Sequence, residues 1–328
     1  MDKPHENYDK TSDLYNRRYT GDYMDTDAYS LWAHEGLTTR QVVDILKSVK
    51  SKPRQILDYG CGVGAWMNLL SGFFPDAQIH GVDISSTAIE KAKIKFPNHH
   101  FACFNGVTAP FSDGQFDLIF SYHVLEHVSD LDAGIQDIGR MLRPGGYAVI
   151  IFPCGNKGSV LDVVMGLIAG SKVPAADGRT VLFFEIPDGH VRRVTSDETV
   201  AIFEKNGFIC LTEYFSGHLF GTIDWLCRGT GPAYINTMFS GQPPIGMFAK
   251  ILLEITRLSL LGINLLITKK SLDLGKKRNL LKQMAVLVVK PMGWCMDTML
   301  KILSGLEWRL FKRQRSGTAQ YLAFQKLR

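Results

Sequence analysis

The feature that most constrains the fold is a short apolar segment that runs directly into a glycine-rich turn. Residues 55–59 (QILDY) have the composition of a buried strand, and Asp58 is followed by Gly60, Gly62 and Gly64 in a D-x-G-x-G-x-G pattern. Glycines let the backbone turn sharply and let a ligand approach where a side chain would collide. A helix-like segment follows. This succession of strand, turn and helix is typical of the first unit of a dinucleotide-type fold.

Strand-like and helix-like segments alternate after this turn. The predicted strands are 78–83, 100–105, 116–121, 147–152 and 208–215, and the predicted helices are 38–49, 65–70, 86–96, 131–142 and 197–206. Ser85 and Ser196 are expected to cap two of the helices. Strands separated by helices of this length predict a parallel, doubly wound α/β sheet. Residues 316–327 also have strand composition, and we expect them to pair antiparallel with 208–215.

Several further motifs follow the glycine turn in a fixed order. They are Asp83 at the end of the second strand, Thr108-Ala109-Pro110-Phe111, Phe116-Asp117, Leu125-Glu126-His127-Val128 and Leu142-Arg143-Pro144-Gly145-Gly146. Together they resemble the motifs of class I S-adenosylmethionine-dependent methyltransferases, in particular the branch of the ubiquinone and menaquinone biosynthesis enzymes. The resemblance covers residues 50–215.

The resemblance implies S-adenosylmethionine as the cofactor and assigns residues to its parts. The residues so assigned are Asp58, Gly60, Cys61, Gly62 and Gly64 for the methionine amino group, Asp83 for the ribose, Ile84, Asn105 and Gly106 for adenine, and Ser121 and Tyr122 for the methionine end. Asn105 departs from the family, which usually has Asp there. An amide oxygen can still accept a hydrogen bond from the adenine amino group.

The resemblance also sets the expected fold class and domain organisation. We predict an α/β, Rossmann-like, doubly wound and seven-stranded sheet, mostly parallel, with a C-terminal helical insertion before the last strand. The expected segments are an N-terminal lid or helical segment (1–50), the S-adenosylmethionine-binding domain (51–221), the basic helical insertion (222–315) and the last strand (316–328).

Histidines near the carboxyl edge of the predicted sheet are the candidate catalytic residues. Methyl transfer to a hydroxyl oxygen needs alignment and a base. His123 follows the fourth strand and His190 follows a loop-rich insertion over the same edge, so both are candidate bases. Glu126 and His127 match part of an E-x-x-E-H motif that holds a divalent metal in quinone-pathway relatives. His123 replaces the first Glu, and we predict no metal site, because Mg²⁺ prefers oxygen ligands.

Two other functions stay open from the sequence. Gly60, Gly62 and Ala65 also satisfy the G-x-G-x-x-G/A pattern of NAD(P)-dependent oxidoreductases, and Asp83 suits either cofactor. Asp58 favours methyl transfer, because a carboxylate there attracts an ammonium group and repels a pyrophosphate. A non-catalytic scaffold that keeps the cofactor fold is the third possibility.

Charge divides the chain into an acidic body and a basic tail. Residues 221–328 contain 17 Lys and Arg against 5 Asp and Glu, although the whole chain has a net charge of only +5. The stretches 247–268 and 280–303 are apolar, with cations between them and a Trp308 segment after them, which is the pattern of an interfacial membrane helix. A helical lid or dimer subdomain is the alternative.

These features set the expected partners. They are a small-molecule or lipid-linked methyl acceptor and an anionic membrane surface, with no nucleic acid. The N-terminus lacks an apolar signal segment and the six cysteines form no CxxC pair, so the expected location is cytoplasmic, peripheral at the inner face of the membrane.

Overall fold

A computed structural model describes residues 4–20, 37–158, 172–174, 180–182, 190–223, 295 and 298–327. The helices are α1 (Pro4–Thr20), α2 (Leu37–Leu46), α3 (Met67–Phe73), α4 (Ser86–Lys95), α5 (Leu131–Met141), α6 (Ser196–Lys205) and α7 (298–311). The strands are β1 (Gln55–Tyr59), β2 (Gln78–Asp83), β3 (His100–Cys103), β4 (Phe116–Tyr122), β5 (Leu142–Pro153), β6 (Lys172–Pro174), β7 (Thr180–Leu182), β8 (Phe208–Ser216) and β9 (Ala319–Lys326).

Seven of the strands form one sheet in the order β3-β2-β1-β4-β5-β9-β8. Strands β1 to β5 run parallel, whereas β9 lies antiparallel between β5 and β8. β6 and β7 form a separate two-stranded pair. The predicted α/β fold class is therefore confirmed, and so is the antiparallel pairing of the last strand with β8.

The central strands lie in the core because both of their faces are apolar. In β1, Ile56 packs into the cluster on one side of the sheet and Leu57 into the cluster on the other, and both are fully buried. Helices cover both faces, as a parallel sheet requires. The carboxyl ends of β1, β2 and β4 therefore meet at one edge, where ligands bind in such folds.

The structure shifts several boundaries that the sequence predicted, among them the start of one strand and the cap of one helix. β5 begins at Leu142 rather than near Tyr147, because Leu142 already pairs with Phe116 before the register shifts between Phe116 and Leu118. The N-cap of α6 is Thr195 and not Ser196: Thr195 accepts from the Glu198 amide, and Glu198 closes the reciprocal bond of a capping box. Ser85 caps α4 as expected, since its hydroxyl accepts from the Ala88 amide.

Most of the predicted basic insertion lies outside the described residues. This holds for 247–268, for the cations at 269–278 and for most of 280–303. Within the described part, α7 corrects one prediction: Trp308, expected at a membrane surface, is only 4% exposed. Its indole Nε1 donates to Asp44 on α2 at 2.9 Å, and its ring contacts Tyr214 and Tyr321. In the ranges that the structure describes, no helix has the length and apolarity needed to cross a membrane.

Candidate active site

The turn after β1 is built from three glycines with left-handed backbone. Gly60, Gly62 and Gly64 have φ values of 80°, 52° and 82°. A side chain at Gly60 would also place a Cβ 2.1 Å from a methyl carbon of Val124, so glycine is required there for space as well as for conformation. The Gly60 amide donates to the Val82 carbonyl at 2.7 Å. The turn is therefore fixed against the end of β2.

Asp58 presents a buried carboxylate oxygen with no partner. The residue is 1% exposed, and its Oδ2 accepts no hydrogen bond within the described part of the chain. Burial, together with the nearby Asp83 carboxylate, raises the pKa of Asp58 to about 8. An unpaired buried carboxylate is costly unless a cation or donor satisfies it. The site is therefore suited to a ligand that brings a positively charged donor.

Asp83 lies at the end of β2 and is held rigidly by the backbone. Its Oδ2 accepts from the Gly62 amide and its Oδ1 from the Ser85 amide, both at 2.8 Å. Burial raises the pKa of this carboxyl too, while the amide donors oppose the shift. Each carboxylate oxygen keeps a further lone pair, so both can accept from a diol such as ribose.

The residues assigned to adenine lie beyond the end of β2 and β3. Ile84 is half-buried and packs against the apolar cluster on one face of the sheet. Gly106 has a φ of 71°, as a tight turn requires. The Asn105 oxygen accepts from the amides of Val107 and Thr108, both at 3.1 Å. The oxygen that the sequence assigned to the adenine amino group is thus already engaged in its own loop.

Helix α1 covers this part of the site. The Ser12 hydroxyl donates to the Ile84 carbonyl at 3.2 Å, and the Asn16 side-chain oxygen accepts from the Ser85 hydroxyl at 2.7 Å. The Tyr19 carbonyl accepts from Lys91 at 2.7 Å. These contacts join α1 to the loop after β2 and to α4. That the N-terminal segment acts as a lid stays a prediction.

The end of β4 brings a second unpartnered group to the same edge. Ser121 is 1% exposed, and no described residue bonds its hydroxyl oxygen. Its neighbour Tyr122 packs its ring 4.7 Å from Trp66 and 4.6 Å from His123. Asp58 pairs with Phe120 across β1 and β4, one residue before Ser121. Cys61 is also buried, so burial raises the pKa of its thiol and leaves it a packing residue beside the turn.

His123 and Glu126 form a hydrogen-bonded pair at the end of β4. His123 Nδ1 lies 2.9 Å from Glu126 Oε1, and the His123 side chain is 35% exposed while that of Glu126 is 1% exposed. His123 has a φ of 55°, which is rare for a residue other than glycine. Its amide donates to the Ile151 carbonyl on β5. The side-chain contact with Glu126 and the amide hydrogen bond to Ile151 therefore hold His123 in this unusual backbone conformation. Strained backbone of this kind is common at functional sites.

Two more histidines surround the same carboxylate. The Nε2 atoms of His127 and His190 lie 3.8 Å and 4.0 Å from Glu126 Oε1. Burial by itself raises the pKa of Glu126, but its interactions with His127, His123 and His190 outweigh burial and lower the pKa to about 2. Glu126 is therefore a carboxylate at neutral pH. The Tyr15 hydroxyl of α1 lies 3.0 Å from His127 Nε2, which connects α1 to this cluster.

Glu126, His127 and His190 are also close enough to hold a metal ion. Their ligand atoms all lie within 4.8 Å of one another. The absence of a metal site, expected from the sequence, stays a prediction. His190, which the sequence proposed as an alternative base, packs against the ring of His127 at 4.8 Å, and both side chains are 13% exposed.

Arg192 is a structural residue of the site that the sequence did not single out. It is 6% exposed and donates to the carbonyls of Leu125, Val128 and Ser129. The adjacent Val191 amide donates to the Glu126 carbonyl at 2.9 Å. The segment after His190 thus fixes the loop that carries His123 and Glu126. In the sequence Arg192 lies in the run Gly189–Thr195, whose composition gives no role to an individual residue.

The sheet order, the glycine turn after β1 and the acidic end of β2 together define a class I methyltransferase domain. Residues 32–213 match the protein family described as "Methyltransferase domain", and the chain belongs to that family. The class that the motifs resembled is therefore confirmed. The match does not single out the ubiquinone and menaquinone branch.

Curated relatives are similar over the same part of the chain. An O-methyltransferase of Penicillium expansum is 33% identical over 111 residues, which cover 31% of this chain and 40% of that protein. A malonyl-[acyl-carrier protein] O-methyltransferase of Legionella pneumophila is 33% identical over 107 residues, which cover 31% of this chain and 37% of that protein. The chain thus spans less than half the length of these relatives.

A solved structure shares the fold over nearly the whole chain. Phosphoethanolamine N-methyltransferase 2 of Haemonchus contortus aligns with a TM-score of 0.51 and 16% sequence identity, over 95% of this chain and 59% of that one. At this identity the likeness concerns the fold alone.

Proposed function

We propose that this protein transfers the methyl group of S-adenosylmethionine to an oxygen atom of a small or lipid-linked acceptor. The observation that carries the proposal is the buried Asp58 Oδ2, which has no partner among the described residues and lies beside the glycine turn and Asp83. A methionine moiety brings an ammonium group for Asp58, and a ribose brings two hydroxyls for Asp83. S-adenosylmethionine contains both groups, and it supplies an electrophilic methyl group on a sulfonium.

The chain's own residues would bind and orient the two reactants. Asp58 holds the ammonium end, the Gly60–Gly64 turn lies behind it, and Asp83 holds the diol. The unpartnered Ser121 hydroxyl is available to the methionine end. Helix α1, which packs on the loop after β2, would exclude water from the site. Exclusion of water strengthens each polar contact there.

His123 is the proposed general base. Because its Nδ1 faces the Glu126 carboxylate, the ring carries its proton on Nδ1 and its basic lone pair on Nε2. Nε2 takes the proton of the acceptor hydroxyl as the oxygen–methyl bond forms and the sulfur–methyl bond breaks. Glu126 then stabilises the imidazolium, which returns the proton to water. His190 is the alternative base.

The choice of an oxygen acceptor rests on this base and on the relatives. Sulfur and nitrogen nucleophiles need less help from a base than a hydroxyl does. The Penicillium and Legionella proteins are both named O-methyltransferases. A lipid-linked acceptor and peripheral attachment to a membrane are proposed from the basic, apolar tail.

Calorimetry on the purified full chain tests the proposal against the oxidoreductase alternative. Binding of S-adenosylhomocysteine, without binding of NAD or NADP, is the expected result. Binding of a nicotinamide cofactor alone would overturn it. A protein that binds S-adenosylhomocysteine yet never labels an acceptor would be the non-catalytic scaffold.

The acceptor class is found by labelling. The protein is incubated with methyl-labelled S-adenosylmethionine and cell extract, and the extract is then divided into aqueous and organic phases. Label that partitions into the organic phase, and that is then released when ethers or esters are cleaved, indicates a lipid-linked oxygen acceptor. Label in the aqueous phase indicates a small polar one.

A further inference from the structure

Helix α7 has an apolar stripe that faces away from the rest of the described residues. Among the described residues, five of the exposed large apolar side chains belong to this one helix: Met299, Ile302, Leu306, Leu310 and Phe311. The first four are spaced by three, four and four residues, so they lie on one helix face. Their exposed fractions are between 45% and 72%.

The rotation of α7 is fixed by its opposite face, so the stripe cannot turn inward. Leu300 and Trp308 are buried against the domain at 6% and 4% exposure. Glu307 accepts from the amides of His218, Leu219, Phe220 and Gly221, which joins the helix to the end of β8. The packing of the described residues therefore accounts for one apolar face of α7 and leaves the second apolar face without a role in it.

Basic side chains lie beside the stripe. Arg309 is exposed on α7 and Arg313 is exposed in the turn after it. Residues 298–315 contain five basic residues and one acidic residue, and of the five, Arg315 pairs with Asp197 and Glu213. A surface groove of about 260 Å³ between α2 and α7 adds Arg40 and Lys47 next to Arg309. Asp44 also lines this groove, but Lys47 and Lys312 pair with it at 2.8 and 2.9 Å.

We propose that α7 docks this protein on an anionic lipid bilayer, with Met299, Ile302, Leu306 and Leu310 inserted at the interface and the neighbouring cations against lipid phosphates. Apolar side chains on one face with Lys and Arg beside them are the requirement for an interfacial helix. The charge of the groove and of α7 selects an anionic surface over a second copy of this basic tail, which would repel it. The inference deepens the proposed function by naming its partner surface.

The docked helix would hold the active site close to the membrane. α7 ends at residue 311, and the chain then returns to the sheet edge that carries the site. The Lys312 carbonyl accepts from the Phe215 amide, the Arg315 carbonyl accepts from Asn156, and the Thr318 carbonyl accepts from Cys154 just after β5. Leu310, the most exposed residue of the stripe, therefore lies at the end of the helix that leads to this edge.

Vesicle co-sedimentation of the full chain tests the docking. Vesicles of phosphatidylcholine with phosphatidylglycerol should bind the protein at low ionic strength, and binding should weaken as salt rises. Vesicles of phosphatidylcholine alone should bind it weakly. The triple variant Ile302→Gln, Leu306→Gln and Leu310→Gln should lower the partition coefficient by about tenfold or more, because three interfacial apolar contacts are lost.

A matched control is available on α4. Ile94 on α4 is 82% exposed and lies between the exposed Lys93 and Lys95. Ile94→Gln should leave vesicle binding unchanged. Far-ultraviolet circular dichroism and S-adenosylhomocysteine affinity should be unchanged in every variant, and because this affinity is measured without membranes, it tests the proposed function separately.

Three results would overturn the proposal. The first is that the wild-type protein stays in the supernatant with anionic vesicles at low salt. The second is that the triple variant binds vesicles as well as wild type, which would assign docking to another part of the tail. The third is that the wild-type protein is a dimer in light scattering and the triple variant a monomer, which would assign the stripe to a second copy of the chain.

Discussion

His123 donates from Nδ1 to a carboxylate oxygen of Glu126 that is almost fully buried, over a distance of 2.9 Å. The two residues are three positions apart in the loop after β4. Arg192 fixes that loop by donating to three of its carbonyls. One side of the imidazole is thus held by an anion while the ring stays partly exposed to the site. This arrangement orients a base and stabilises its protonated form.

The first prediction concerns the base itself. His123→Ala should lower kcat by roughly a hundredfold or more, because a positioned base contributes a factor of this size to proton transfer. The dissociation constant of S-adenosylhomocysteine should stay within about twofold of wild type, because His123 is not among the residues proposed to bind the cofactor. A kcat within about threefold of wild type would assign proton removal to His190 or to no base.

The second prediction concerns the carboxylate. Glu126→Gln keeps the volume and an acceptor oxygen but removes the charge that stabilises the imidazolium. We expect kcat to fall by about tenfold or more while KM for the acceptor changes little. If Glu126 were only a packing residue, Glu126→Gln would show wild-type kcat together with a wild-type thermal midpoint.

The third prediction concerns the metal. Turnover should persist after dialysis against EDTA, because His123 replaces the first carboxylate of the metal-binding motif of the quinone-pathway relatives, and Mg²⁺ prefers oxygen ligands. The measurement is the initial rate before and after dialysis, with elemental analysis of the protein. Loss of activity that added Mg²⁺ or Zn²⁺ restores would make these three residues metal ligands instead.

The sequence predicted the sheet because each strand carries its own local signal. The apolar runs, the turn glycines and the caps specify β1 to β5 without long-range information. The last strand could also be predicted from its composition. Boundaries failed where a tertiary contact decided them, as at Leu142, whose pairing with Phe116 lengthens β5.

Contacts between distant segments, in the site and elsewhere, were harder to predict than the sheet. Nothing near Trp308 in sequence indicates that Asp44 will accept its indole proton from 264 residues away. The clamp of Arg192 on the loop after β4 spans 63 to 67 residues. Local patterns place residues at an edge of the sheet, whereas such partners are fixed only when the elements pack.

The fourth prediction concerns the ribose contact. Asp83→Ala should weaken S-adenosylhomocysteine binding at least tenfold, since a hydrogen bond to a charged group contributes roughly 1.5–3 kcal/mol. Asp83→Asn keeps one acceptor oxygen, which can still accept from the Gly62 amide, but it loses the second acceptor, which holds the Ser85 amide and part of the ribose. Asn should therefore give an intermediate loss by calorimetry. Wild-type affinity in both variants would show that the ribose lies elsewhere.

The fifth prediction uses the raised pKa of Asp58. Burial and the Asp83 carboxylate raise this pKa to about 8 in the ligand-free protein, from an ordinary value of 3.8. Between those two values the unfolded chain has lost the proton while the folded chain still binds it. The unfolded state then binds fewer protons, so the free energy of unfolding falls as pH rises from about 4 to about 8.

Asp58→Asn removes this titration, so it should raise the thermal midpoint of the ligand-free protein, and the gain over wild type should grow steadily from about pH 5 to about pH 8. Saturating S-adenosylhomocysteine should reverse the order, because its ammonium group pairs with the carboxylate of the wild-type protein only. Asp76→Asn, at an exposed carboxylate in the turn before β2, is the matched control and should give no growing gain. Differential scanning fluorimetry across this pH range, with and without ligand, measures all of these midpoints. A gain that stays constant with pH, or an order that the ligand does not reverse, would mean that Asp58 is not the ammonium-binding carboxylate.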